Sequence, residues 1–288
     1  VTLVVGARSN LSRHLARGLP GEVRLVATAD VLAGRLPSLL PAAPYRLVLN
    51  NFPPATALGD LGSPSRYVAD AVDATALALE AVVGTACRQV VYTSSASVYG
   101  DNVCCHEDHP LSGGSLYAAL KMANERLVAT VCGDHDLPST TVRLFNLYGG
   151  DDRFSVLSKV VARVRDGQPL VVTNAGRAVR DFVHVQEATR AYAAILRADA
   201  PAVVNVGSGV GTSVGMVLDA VALHGFALRT VPVQRTEISF SVADVSRLTA
   251  LDPGLTFRPV VDHVLAELSA DPAAAPVPVG PLTAPGSR

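Results

Sequence analysis

Residues 91–121 read VYTSSASVYGDNVCCHEDHPLSGGSLYAALK, and the fold is decided here. An apolar run ending in Tyr92 delivers three hydroxyls in succession, Thr93, Ser94 and Ser95. After a polar loop come Tyr117 and Lys121, four residues apart. That spacing puts both side chains on one face of a helix. An ammonium beside a phenol lowers the phenol's pKa, and a phenol so tuned takes or gives a proton at neutral pH. Ser95, at the strand end, is placed to hydrogen-bond the same substrate hydroxyl. Composition adds weight to Lys121, because it and Lys159 are the only lysines in the chain and every other basic side chain is Arg.

Toward the N-terminus, residues 2–5 (TLVV) form a β-branched run that meets Gly6, and Leu11, Leu15 and Leu19 then recur at helical spacing. Strand, tight turn and helix open a nucleotide-binding βαβ unit. Further strands are expected at Val23–Ala27, Tyr45–Leu49, 88–93 and Thr140–Phe145, with helices at Tyr67–Val83 and 115–131. This alternation predicts an α/β fold with a doubly wound parallel sheet. Beyond Gly149 and Gly150 the rhythm changes, with helices expected at 154–165, 186–197, 244–250 and 259–268. Strands are expected at 169–173, 179–184, 202–206 and near 228–233, and Val214, Val217, Leu218 and Val221 share one helix face. Residues 1–150, completed by about 179–207, make the sheet domain; 151–178 and 208–269 make a smaller C-terminal lobe. The Pro-, Ala- and Gly-rich stretch 270–288 reads as a disordered tail.

The 288 residues are 49% hydrophobic and 17% charged, with 24 basic against 25 acidic side chains. That balance points to no nucleic-acid or membrane-surface partner. The apolar runs fall short of the ~18 to 20 residues that span a bilayer. Cys87, Cys104, Cys105 and Cys132 show no C-x-x-C spacing and no disulfide framework, so a reducing, cytoplasmic setting is expected. His106, Glu107, Asp108 and His109 suit no common metal spacing and read as a solvated loop. Gly207 and Gly209 read as turn residues.

Seven motifs in order carry a family resemblance: VVYTSSASVYGD (90–101), EDHPL (107–111), YAALK (117–121), TVRLFNLYG (141–149), VRDFVHVQEATRA (179–191), VNVGSG (204–209) and QRTEISFSVADVSRL (234–248). With them the chain resembles the extended short-chain dehydrogenase/reductases, in particular the NAD-dependent epimerase/dehydratase family that works on nucleotide sugars. The resemblance implies a Rossmann-like fold with a substrate-binding lobe. It implies Tyr117 as acid/base, Lys121 as holder of the nicotinamide ribose, and Ser94 and Ser95 at the sugar hydroxyl. Asn146, Arg180 and Arg235 match the positions that face the sugar and diphosphate, and guanidinium forks suit phosphate oxygens. Gly6, Arg8, Ser9, Asn10, Leu11 and Thr93 fall at cofactor positions, the cofactor being NAD or NADP. The family commonly pairs into a homodimer through the helices that correspond to 67–83 and 115–131.

Several positions depart from that family. Only Gly6 remains of its three turn glycines, Ser9 and Ser12 replacing the others. The acid expected after the second strand falls at Ala27 or Thr28, with Asp30 beyond. Only about 20 residues reach the next strand, short for the usual strand and adenine-contacting loop, and the family's H-L-A-A is Asn50-Asn51-Phe52-Pro53. Arg8 with no ribose acid is the pattern for NADP(H); the same losses also suit a weak or absent dinucleotide. Ala96 and Ser97 stand where sugar 4,6-dehydratases resemble one another in an Asp-Glu pair, which disfavours dehydration. Three readings follow. The first is a nucleoside-diphosphate-sugar 4-epimerase acting through a 4-keto intermediate. The second is an NADPH-dependent nucleotide-sugar 4-ketoreductase, and the third a non-redox sugar-nucleotide-binding protein on the same fold.

Overall fold

The computed structural model describes residues 1–54 and 63–270; the expected tail beyond 270 lies outside them. The N-terminal unit alternates strand and helix: β1 (Thr2–Val5), α1 (Asn10–Gly18), β2 (Val23–Val26), α2 (Thr28–Leu32), α3 (Leu36–Leu39), β3 (Tyr45–Leu49), α4 (Pro64–Val68), α5 (Ala74–Val82) and β4 (Cys87–Ser95). Next come β5 (Asn102–Cys105), α6 (Leu116–Asp134), β6 (Ser139–Leu144) and β7 (Asn146–Tyr148). The remainder holds α7 (Val156–Asp166), β8 (Leu170–Thr173), β9 (Val179–His184), α8 (Val185–Arg197), β10 (Val203–Val206), β11 (Gly211–Ser213), α9 (Val214–Leu223), β12 (Thr230–Val233), β13 (Phe240–Ala243), α10 (Ser246–Leu251) and α11 (Val260–Ser269). No helix among the described residues is long and apolar enough to cross a membrane.

Six strands form one parallel sheet in the order β10-β6-β4-β3-β1-β2. Both of its faces are covered, which is why its central strands read as unbroken apolar runs. On one side α1 and α8 pack Leu11, Leu15, Ala188, Ala191 and Tyr192 against Val4, Val48, Val91 and Val142. On the other side α2, α3, α5 and α6 bring Val31, Leu36, Ala78, Leu79, Val128 and Cys132 to Leu3, Val5, Leu47 and Tyr92. The expected doubly wound sheet is therefore present, but it stops at β2. Residues 27–44 hold α2 and α3, so among the described residues no strand lies beyond β2 on its outer side.

Of the segment expected to complete this sheet, 203–206 does so as β10, whereas 179–184 enters a second sheet. There β9 lies between β11 and β13, β5 borders β13, and β7 also pairs with β9. Leu157, Val160, Phe182, Val217, Val221 and Val264 form a separate core for this lobe. The expected helix Tyr67–Val83 is α4 and α5 joined by a π turn at Ala69–Asp73. A π turn loosens the carbonyl ladder, and the Asn51 amide accordingly donates to Asp70 O at 2.9 Å and the Asn124 amide to Ala71 O at 2.8 Å.

Candidate active site

Two elements carry the relay residues, β4 by its C-terminal end and α6 by its first turns. Strand alternation sends neighbouring side chains to opposite faces. Thr93 thus meets the Tyr192 hydroxyl at 2.6 Å, while the Ser94 hydroxyl donates to Glu125. Ser94 is consequently buried in the sheet-helix contact and does not line the site assigned to it from sequence. Ser95 accepts from Ser97 N at 3.2 Å, capping the turn Ala96–Tyr99, and also faces the Tyr117 phenol. Ser95 thus caps the turn and faces the phenol at once.

The Ser115 hydroxyl accepts from Ala118 N at 3.1 Å, an N-cap that starts α6 two residues before Tyr117. Burial pushes the Tyr117 phenol up to about 12, with the Ser95 hydroxyl working the other way. Lys121 is fully buried. Its Nζ donates to Thr93 O at 2.6 Å and lies over the Phe52 ring, 4.2 Å from the centroid. Desolvation lowers its pKa to about 7, with Glu125 opposing. The expected lowering of the phenol by the ammonium is therefore not what this arrangement gives. Lys121 faces aromatic rings rather than the Tyr117 hydroxyl, and burial dominates both groups.

Of the polar groups expected at the sugar nucleotide, Asn146 and Arg180 lie on β7 and β9, and Arg235 lies in the connection between β12 and β13. Asn146 donates to Asp181 O at 2.9 Å, which fixes β7 beside β9. Arg180 reaches Glu237 at 3.4 Å, and the Asn174 amide donates to Glu237 at 2.9 Å and to Arg235 O at 2.7 Å. The Arg180 side chain and the Arg235 backbone are thus linked through Glu237 and Asn174, and Arg180 pairs with Glu237 rather than with adjacent Asp181. Asp181 is wholly buried and accepts from the backbone of Ser208, Gly209 and Ala243. A side chain at residue 207 would stand 2.6 Å from an Asp181 oxygen, so Gly207 does serve the turn.

The loop 106–109 departs from the solvated reading at one residue. Glu107 is buried, accepting from Asn205 N at 2.9 Å and lying 3.8 Å from Arg247, whose guanidinium also grips exposed Asp108 at 2.6 Å. Nothing in the sequence spacing marks Glu107, rather than its neighbour Asp108, as the anchor.

A cavity of about 680 Å³ opens at the C-terminal ends of β1, β2 and β3, lined by Gly6, Arg8, Ser9, Asn10, Thr28, Asn51, Phe52 and Arg66. Leu11 is buried below it. A Cβ on Gly6 would lie 2.2 Å from Asn50 O, so the turn needs a residue without one. Ser9 caps α1 through Ser12 N, and Ser9, Ser12 and Asn50 join in one hydrogen-bonded group. The serines that replace glycines are used locally. Asp30 pairs with Arg35, and Ala27 only precedes α2, so no carboxylate from that strand end lines the cavity. The phosphate end of a dinucleotide would be held where the Gly6 turn and the start of α1 line the cavity beside Arg8, Arg66 being paired with Asp70 at 2.9 Å. At the Lys121 end Phe52 stands in front of the ammonium. Sequence had noted the residue without its consequence.

The low-salt glycan biosynthesis protein Agl12 of Haloferax volcanii is 28% identical over 224 residues, 72% of this chain and 67% of that protein. The UDP-glucose 4-epimerase of Streptomyces lividans is 28% identical over 177 residues, 55% of this chain and 54% of that protein. The chain spans about a third to about two thirds of the length of the curated relatives it matches. Among solved structures, MoeE5 in complex with UDP-glucuronic acid and NAD superposes with a TM-score of 0.80 at 26% identity, over 92% of this chain and 96% of that one. The model of the NAD dependent epimerase/dehydratase family matches residues 56–207, which take in β4, α6 and β9 and leave out the Gly6 turn. Since that stretch is more than half of the 288 residues and holds Ser95, Tyr117 and Lys121 together, the chain belongs to the NAD-dependent epimerase/dehydratase family of enzymes.

Proposed function

We propose that this protein acts at the 4-hydroxyl of a nucleoside-diphosphate sugar as a 4-epimerase. The carrying observation is the facing pair of Tyr117 phenol and Ser95 hydroxyl at the end of β4, with only Ala96 and Ser97 beside them. Ser95 Oγ orients the sugar hydroxyl, and Tyr117 Oη takes its proton and later returns it. A bound nicotinamide would supply the hydride acceptor. Arg180 and Arg235 hold the diphosphate, with Asn146 on the sugar side. Gly6, Ser9, Asn10 and Leu11 frame the cofactor's phosphates, and Thr93 O fixes Lys121. Neither Ala96 nor Ser97 offers a second acid or base, so water is retained. MoeE5, similar in fold, holds UDP-glucuronic acid and NAD, and a UDP-glucose 4-epimerase is among the relatives. The test is incubation with UDP-glucose, UDP-galactose and their uronic acids plus NAD, followed by NMR of the sugar 4-proton. Inversion at carbon 4 supports the reading; an unchanged sugar with every substrate sinks it.

A second reading, the NADPH-dependent 4-ketoreductase, is favoured by Arg8 lining the cavity while Asp30 is paired with Arg35 and Arg66 with Asp70. An arginine beside a strand end that lacks the ribose acid suits a 2′-phosphate. Reduction of a 4-keto sugar nucleotide with NADPH, without epimer formation, decides for it. Exposed Val68, Leu77 and Leu116 on α4, α5 and α6 support pairing of two copies through these helices, which sedimentation measures directly.

A further inference from the structure

Lys121 has aromatic neighbours on several sides and no exposed face. One N–H goes to Thr93 O, the Phe52 ring lies 4.2 Å from Nζ, and the Tyr92 and Tyr117 ring centroids stand 5.2 and 5.8 Å away. Phe52 is itself held edge-on by Tyr117 at 5.2 Å and by Tyr67 at 6.1 Å. It follows directly on Asn51, whose amide is anchored to the π turn, and it also lines the cavity that begins at Gly6. The ring therefore stands between that cavity and the ammonium.

We propose that Phe52 takes the place of a nicotinamide ribose at Lys121, so that the resting site is closed by its own side chain and a dinucleotide seats only when the ring leaves. This rests on the reading of the site as dinucleotide-dependent. An ammonium withdrawn from water is stabilised by an aromatic face and equally by the two hydroxyls of a ribose, but the two cannot share the same face. A nucleotide that ends at its diphosphate meets the Gly6 turn without touching Phe52. A full dinucleotide must displace it. Departure of the ring also admits polar groups to Lys121, which favour its charged form further, and the charge acts on Tyr117 from the same helix face. Cofactor arrival and readiness of the acid/base are thereby one event.

Calorimetry with ADP, NAD and NADPH on the wild type, Phe52→Ala and Phe52→Leu tests this, together with acetic anhydride labelling of Lys121 read by peptide mass spectrometry against exposed Lys159. Phe52→Ala should bind a dinucleotide roughly tenfold more tightly, with ADP affinity unchanged. Lys121 should be labelled in the variant and protected in the wild type. Phe52→Leu, which keeps apolar bulk without a π face, should fall between and guards against a folding defect. Equal dinucleotide affinity in wild type and Phe52→Ala, or an equal gain for ADP, overturns the proposal and leaves the cofactor reading standing. So does labelling of Lys121 at the same rate in both proteins. If no form binds either dinucleotide although Lys121 opens in Phe52→Ala, the cofactor reading itself falls, and Phe52 with it.

Discussion

At Lys121, burial and charge oppose one another, and the opposition has a sign that pH exposes. Its folded pKa of about 7 lies below the ordinary lysine value. Between the two values the unfolded chain binds more protons, so this group makes stability rise with pH across that window. Below about pH 7 its full cost is present. Lys121→Met should remove that rise, measured as urea unfolding at pH 6 and pH 9, and gain most at pH 6. The size is on the order of a few kcal/mol; a variant with the wild-type slope would mean the ammonium is solvated. Tyr117 gives the companion experiment. Tyr117→Phe keeps the ring contacts with Phe52 and removes only the proton-carrying oxygen. Turnover of the sugar nucleotide should fall by about 10²- to 10⁴-fold, while calorimetry should find its binding within a few-fold of the wild type.

At the scale of one element, α6 is oriented by three buried polar side chains that reach three different partners. Lys121 docks on β4, Asn124 on the π turn, and Glu125 on Arg143 of β6 at 2.9 Å. Such a helix cannot rotate without stranding a polar group, and that fixes Tyr117 against Ser95. Glu125→Gln strips the Arg143 guanidinium of its countercharge inside the protein and should cost about 3 kcal/mol, as chemical denaturation would record. Glu125→Met with Arg143→Met should recover much of it, because no charge is then left unpaired. This element also shows what a sequence can and cannot disclose. The Ser115 cap, the Tyr117–Lys121 spacing and the strand before them are local patterns, and they were legible. That Lys121 turns to Thr93 O and Phe52 was not, because those partners lie 28 and 69 residues away and burial depends on all of them together. The same holds for Glu107, whose anchoring role appears only once β10 stands beside β6; the loss of a strand after β2 was legible in the shortness of that segment, whereas its folding into α2 and α3 was not.

For the molecule as a whole, the shortened sheet and the two arginines divide the labour. No strand lies beyond β2 among the described residues, while Arg180 and the backbone of Arg235 are tied to Glu237 and Asn174 beside the second sheet. On the proposed reading, the nucleotide of the substrate then has a site that does not wait on the dinucleotide. Glu237 is the constraint on that site, because its carboxylate already occupies Arg180 at 3.4 Å while burial lowers the arginine's pKa. A diphosphate must compete with this carboxylate for the same guanidinium and approach it against like charge. Glu237→Gln removes the repulsion and keeps a hydrogen-bonding group for Asn174. UDP should then bind severalfold more tightly, and the gain should shrink in high salt as screening takes over. Arg180→Ala should act in the opposite direction. In the wild type, UDP at about a hundred times its Kd should raise the unfolding free energy by about 2.7 kcal/mol, a thermal shift that Arg180→Ala with Arg235→Ala should abolish. A shift that survives the double substitution would place the diphosphate elsewhere.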